Sequence, residues 1–231
     1  MIFKILFEDE YFLAADKPAG LPSQATLDKN RPSFFTALQK QLQNERGPDF
    51  YLGLHHRLDQ GTSGVMIFAK SKAANTPLAD LFKKHQIQKT YIAISKKFRC
   101  SPQWQSKNFL DEAPRTNKER ARMIPVKSGG QLAITDFRML EDLPQGIIIE
   151  AKPLTGRMHQ IRAHLSERGL GIFGDDLYAS AKTPVAPRLM LHAHRLEFRH
   201  PFTGEDMKIE SPLPEDMLLF KAKLSTDIDL K

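Results

Sequence analysis

The run HHRLDQGTSGVMIFA occupies residues 55–69. Its last six residues, GVMIFA, are apolar and follow a turn, which is the composition of a buried strand. Its first part sets one carboxylate, Asp59, after Arg57 and Leu58 and ahead of Gly-Thr-Ser-Gly. Most loop aspartates close a turn with their own side chain, and here that turn would be the Gly61 loop. A carboxylate held on a rigid strand end is also how a reacting group is positioned. The rest of the chain has to decide between the two.

On the N-terminal side, residues 2–7 and 11–15 read as two short strands joined at Glu8-Asp9-Glu10, and DKPAG at 16–20 breaks the chain. Ser33 is placed to cap a helix that turns Phe34, Phe35, Leu38 and Leu42 to one side, and Ser71 to cap a helix reaching about His85. On the C-terminal side, KTYIAIS at 89–95 alternates and is rich in β-formers, so it reads as a strand. Residues 100–130 read as polar and irregular, with a loop at Lys127-Ser128-Gly129-Gly130. Strands follow near 132–140 and 146–151, a helix from Met158 to Arg168 stopped by Gly169, and a last long strand over 189–199 ending at Pro201. Strands dominate and several neighbours can form hairpins. The expected fold class is α+β, a mixed and largely antiparallel sheet flanked by helices and loops.

The 231 residues are expected to form a single domain over 1–231, with 41% hydrophobic residues. No apolar run approaches the ~20 residues that span a bilayer. The start, MIFKILFEDEYF, meets acids early and lacks a basic leader, so a cytoplasmic protein with no membrane partner is expected. The single cysteine, Cys100, leaves no internal disulfide and no multi-cysteine zinc site. The formal charge is +7, but residues 83–127 hold twelve basic residues against three acids, or +9, which leaves −2 for the remainder. Such a segment is either a solvated face or a surface for a polyanion, since neutralising phosphates releases counterions.

Three stretches beyond Asp59 concentrate groups able to do chemistry. TGRMHQIRAHL at 155–165 carries Arg157, His159, Gln160, Arg162 and His164, with Arg157 at the start of its helix. QKTYIAI places Lys89 and Tyr91 on a strand inside the basic segment, where a tyrosine is either core or a stacking surface for a base. RLMLHAHRLEFRHP at 188–201 holds His192 and His194 on one strand face. Eight histidines raise a metal site with Asp59 or Asp175-Asp176, but there is no HExxH and no dense carboxylate cluster.

Read in order, DKPAGL, HRLDQGTSG, KTYIA, TGRMHQIRAHL, GDDLY and RLMLHAHRLEFRHP resemble the signature of the RluA-type RNA pseudouridine synthases, across residues 16–201. Fifteen residues precede DKPAG, so the chain is similar to the short members that lack an S4 domain. The resemblance implies isomerisation of uridine in a structured RNA, a ribosomal or transfer RNA stem-loop, without cofactor or metal and without a DNA partner. It implies Asp59 as the reacting carboxylate, Arg157 as its guanidinium partner and Tyr91 against the target base. It places Arg57 to fill the space of a flipped base or to hold the flipped backbone, and Leu191 is a candidate apolar wall beneath the base. Lys17, Arg162 and the 83–127 segment are candidate phosphate contacts, and Lys89 and His159 are further candidate contacts to the RNA. A monomer is expected.

Overall fold

The computed structural model describes residues 2–26, 28, 31–97, 99–114, 120–178 and 186–226. In chain order the elements are β1 (Ile5–Glu8), β2 (Phe12–Lys17), α1 (Phe34–Arg46), β3 (Gly53–Leu54), β4 (Ser63–Ala69) and α2 (Lys72–Lys83). There follow β5 (Gln88–Lys96), β6 (Gln103–Glu112), β7 (Met123–Val126), β8 (Gln131–Asp142) and β9 (Gly146–Pro153). The last are α3 (Gln160–Glu167), β10 (Leu191–Arg199), β11 (Asp206–Glu210) and α4 (Glu215–Leu224). The fold is α+β. The chain divides into two compact units, Met1–Lys89 with Ala193–Pro212, and Thr90–His192 with Leu213–Lys231.

In the first unit β2 pairs antiparallel with both β1 and β4, β3 adds to β4, and β11 pairs antiparallel with β10. All of β4 is buried, as GVMIFA requires. Phe12, Val65, Ile67, Leu78, Leu196 and Ile209 share its core. The serines act as read. Ser33 accepts the Thr36 N–H while the Thr36 hydroxyl returns to the Ser33 backbone, and Ser71 accepts the Ala74 N–H. These pairs satisfy backbone donors that a helix start leaves without partners.

Gly64, the second residue of β4, has φ at 120°, and a Cβ there would lie 2.2 Å from the Ala193 carbonyl oxygen. Neither the backbone angle nor the space admits a side chain. Gly64→Ala should therefore lower unfolding free energy by about 3 kcal/mol or more, read as a shifted urea midpoint. A midpoint equal to wild type would contradict the close approach.

In the second unit the strand order is β5-β9-β8-β6-β7, and the pairs are antiparallel. Its core gathers Ile92, Ile94, Ile147, Ile149, Leu165, Phe173, Met217 and Phe220. Here the structure corrects the reading of residues 100–130, because β6 and β7 lie within them. In β6 only Ser106 and Leu110 are buried, while Gln103, Gln105, Lys107 and Phe109 are exposed. A strand with one open face and a polar sequence shows little hydrophobic period. The loop at Gly129-Gly130 is present, with φ of 71° and 69°, and it turns β7 into β8. Helix α3 starts two residues later than expected because His159 is left-handed, at φ 53°, and Gly169 ends it at φ 75°. Two further elements, β11 and α4, lie beyond the last expected strand. Helix α4 carries Glu215 and Asp216 in its first turn and Lys221 and Lys223 in its last, which suits its dipole.

Candidate active site

Asp59 lies in the first unit, in the loop between β3 and β4. Its main chain is fixed from both sides. The Ser23 hydroxyl donates to the Leu58 carbonyl at 2.7 Å and accepts the Leu58 N–H at 2.9 Å. The Gln60 carbonyl accepts the Gly20 N–H, and the Asp59 carbonyl accepts the Thr62 N–H. Lys17 completes the frame. Its side chain is fully buried, and its ammonium donates to the carbonyls of Pro18, Gln60 and Thr62 at 2.9, 3.2 and 2.7 Å. The DKPAGLPS segment thus cradles the HRLDQGT loop through backbone carbonyls, which explains why the two stretches occur together. A buried lysine of this kind is a clamp, and this replaces the expected phosphate contact. Arg57, two residues before Asp59, is exposed.

The histidines that precede Asp59 are structural. His56 accepts the Ile67 N–H at 2.9 Å and its ring stacks on Phe82. Burial, with the Lys89 ammonium nearby, pushes its pKa down to about 3, so the ring stays neutral. His55 bonds Asn75, which donates to the Tyr51 hydroxyl. Burial also pushes the Lys89 ammonium below the usual lysine range.

In the second unit Arg157 is half-buried, and its Nε donates to the Leu132 carbonyl of β8 at 3.0 Å. That bond sets the plane of the guanidinium. Tyr91 is half-buried on β5, opposite Ala151 of β9, and packs against the core. Leu191 belongs to that core at 3% exposed.

His159 and Arg162 converge on Tyr178, which sequence reasoning assigned no role. The Tyr178 hydroxyl lies 3.2 Å from His159 Nδ1 and accepts the Met123 N–H at 2.6 Å. The Arg122 and Arg162 guanidinium groups sit over its ring at 5.2 and 5.1 Å. Arg162 is not at the surface. It is 6% exposed and pairs with Asp175 through two bonds of 2.8 Å each. The same carboxylate accepts the N–H groups of Leu177 and Tyr178. The expected phosphate contact of Arg162 is therefore replaced by an internal ion pair that fixes the GDDLY turn on α3. Asp175→Ala should lower unfolding free energy by about 3–5 kcal/mol, since it strands a buried guanidinium. A loss below about 1 kcal/mol in urea unfolding would contradict this.

The basic segment is divided between the two units. Lys83 and Lys84 end α2 in the first unit, and Lys84 pairs with Asp80. In the second unit Lys97 meets Asp142, Arg120 meets Asp176, and Arg122 covers Tyr178, while Lys107 and Lys127 are exposed. Arg115, Lys118 and Glu119 lie outside the described residues. Among those described, no three histidine, cysteine or acidic side chains gather as a metal site would need. The candidates have other partners: His164 meets Thr135 and Asn108, and His194 meets the Ser211 carbonyl. No helix of the described residues is long and apolar enough to cross a membrane.

Comparison with known proteins decides the family. The model of the RNA pseudouridylate synthases matches residues 11–167. The chain belongs to the RNA pseudouridylate synthase family. The ribosomal large subunit pseudouridine synthase C of Haemophilus ducreyi is 33% identical over 96% of this chain and 69% of the relative. The ribosomal large subunit pseudouridine synthase D of Zymomonas mobilis is 33% identical over 94% of this chain and 72% of the relative. The chain thus spans about two thirds of the length of the curated pseudouridine synthases it matches. Among solved structures, human RNA pseudouridylate synthase domain containing 4 superposes with a TM-score of 0.78 at 26% identity, covering 95% of this chain and 92% of that one.

Proposed function

We propose that this chain converts uridine in ribosomal RNA to pseudouridine, without a cofactor, with Asp59 as the reacting carboxylate. The observation that carries the reading is the fixing of the Asp59 main chain on both sides by Ser23, Gly20 and the buried Lys17. A nucleophile held by backbone bonds pays its ordering cost during folding rather than at the reaction. Ribosomal RNA is favoured over transfer RNA because the similar curated proteins are named for the large ribosomal subunit. A cytoplasmic protein fits such a substrate.

In the proposed reaction the N1–C1′ bond breaks, the base turns while held, and C5 bonds to C1′. The C5 hydrogen leaves as a proton and N1 gains one, so nothing is oxidised or hydrolysed. Attack of the carboxylate at C1′ or at C6 both begin from its ionised form. The resemblance to the family assigns Arg157 as the guanidinium partner of that carboxylate, and a planar guanidinium suits a carboxylate better than an ammonium does. The target uridine leaves its stack at a cost of a few kcal/mol, least in a loop or bulge. Arg57, exposed beside the Asp59 loop, fills the space it leaves. Tyr91 and Leu191 face the base, and Lys89 and His159 contact the RNA around it.

The test uses ribosomal and transfer RNA transcripts tritiated at uridine C5. The reading expects tritium release from large-subunit ribosomal RNA and pseudouridine in its digest. Release from transfer RNA alone would move the substrate class, and release from neither would remove the activity.

A further inference from the structure

Gln160, the first residue of α3, is 4% exposed, and its side-chain amide makes four hydrogen bonds. Its Oε1 accepts the Arg157 N–H at 2.9 Å and the Thr155 hydroxyl at 2.7 Å. Its Nε2 donates to the Ile134 carbonyl at 2.9 Å and to the Thr135 hydroxyl at 2.8 Å. That uses both donors and both lone pairs of an amide. The Thr155 hydroxyl oxygen also accepts the Ile134 N–H at 3.0 Å, so both backbone groups of Ile134 are tied to this loop.

The bonds run on in one direction. With its oxygen receiving the Gln160 N–H, the Thr135 hydroxyl has its proton to give to His164 Nδ1 at 2.9 Å. His164 is neutral, because burial pushes its pKa down to about 4. Its Nε2–H then donates to Asn108 Oδ1 at 2.9 Å, and the Asn108 amide donates to Glu167 at 2.7 Å. Each donor meets an acceptor, from the Glu167 carboxylate on α3, through β6 and β8, to the Arg157 N–H. Thr135 and His164 are fully buried. Satisfied networks of this kind hold one geometry, because any break leaves a buried polar group unpaired.

We infer that Gln160, backed by Thr135, His164 and Asn108, is a positioning residue for Arg157. The amide fixes the Arg157 main chain to β8, while the bond from Arg157 Nε to the Leu132 carbonyl on the same strand fixes its side chain. Strand β8 thus holds Arg157 at two points. The inference rests on the proposed role of Arg157 in uridine isomerisation.

The experiment measures single-turnover pseudouridine formation and RNA affinity for wild type, Arg157→Lys, Gln160→Met and the double variant, with a thermal melt of each. Gln160→Met keeps length and removes all four bonds. The expected result is a loss of about tenfold in rate with RNA affinity unchanged, since small displacements of a positioned group are costly. In the Arg157→Lys background the same change should cost less than about twofold, because residues that act as a unit are non-additive. Equal losses in both backgrounds would assign Gln160 to the fold alone and overturn the inference, as would a full rate for Gln160→Met. If Arg157→Lys alone runs at the wild-type rate, the need for a positioned guanidinium at residue 157 falls first, which separates the two failures. Should Gln160→Met fail to fold, Thr135→Val and Thr135→Ser replace it. The serine restores the hydroxyl and should restore the rate in the wild-type background, and a slow serine variant would overturn the inference.

Discussion

Asp59→Asn should lower the single-turnover rate of pseudouridine formation by about 10,000-fold or more, the scale of losing a nucleophile. RNA affinity should stay within about twofold, because an uncharged amide of the same shape removes a transition-state group and little ground-state binding. The folded protein should persist, since the loop around Asp59 is built from main-chain bonds to Ser23, Gly20 and Lys17. A melt within a few degrees of wild type, beside a lost rate, separates chemistry from folding. Retained turnover would remove Asp59 from the reacting role and return it to the turn-forming aspartate that loops usually contain.

Arg157→Lys should cost about 100- to 1,000-fold in rate at unchanged net charge, the scale of losing one preorganised electrostatic donor. The reason is geometric. Arg157 spends Nε on the Leu132 carbonyl and still presents two NH2 groups in the fixed plane of the guanidinium. A lysine ammonium has three donors on a flexible stem and cannot both hold that carbonyl and offer a planar fork. Single-turnover kinetics with a parallel affinity measurement will show the effect in the chemical step. A rate within about threefold of wild type would mean that charge alone suffices.

Local chemistry was the legible part of this chain. Ser33 and Ser71 cap their helices because a serine before an apolar period has few other uses. GVMIFA is buried because nothing in it tolerates water. The ordered motifs carried the family, and its model matches residues 11–167. What failed was the inference from charge to surface. Lys17 and Arg162 read as phosphate contacts, yet both are buried, one on three carbonyls and the other on Asp175. A formal charge in a sequence says nothing of whether tertiary structure supplies acceptors for it. Strand β6 escaped because an open face with polar residues mimics a loop. The roles of Gln160 and Tyr178 escaped because they lie in partners far along the chain, Ile134 and Thr135 for one, Met123 and Arg122 for the other.

The most direct test of the central claim is pseudouridine mapping of total RNA from cells in which the gene is deleted. The deletion is then complemented with wild type or with Asp59→Asn. The account predicts that a site in large-subunit ribosomal RNA disappears on deletion and returns only with wild type. An unchanged map, or a site restored equally by Asp59→Asn, would contradict it.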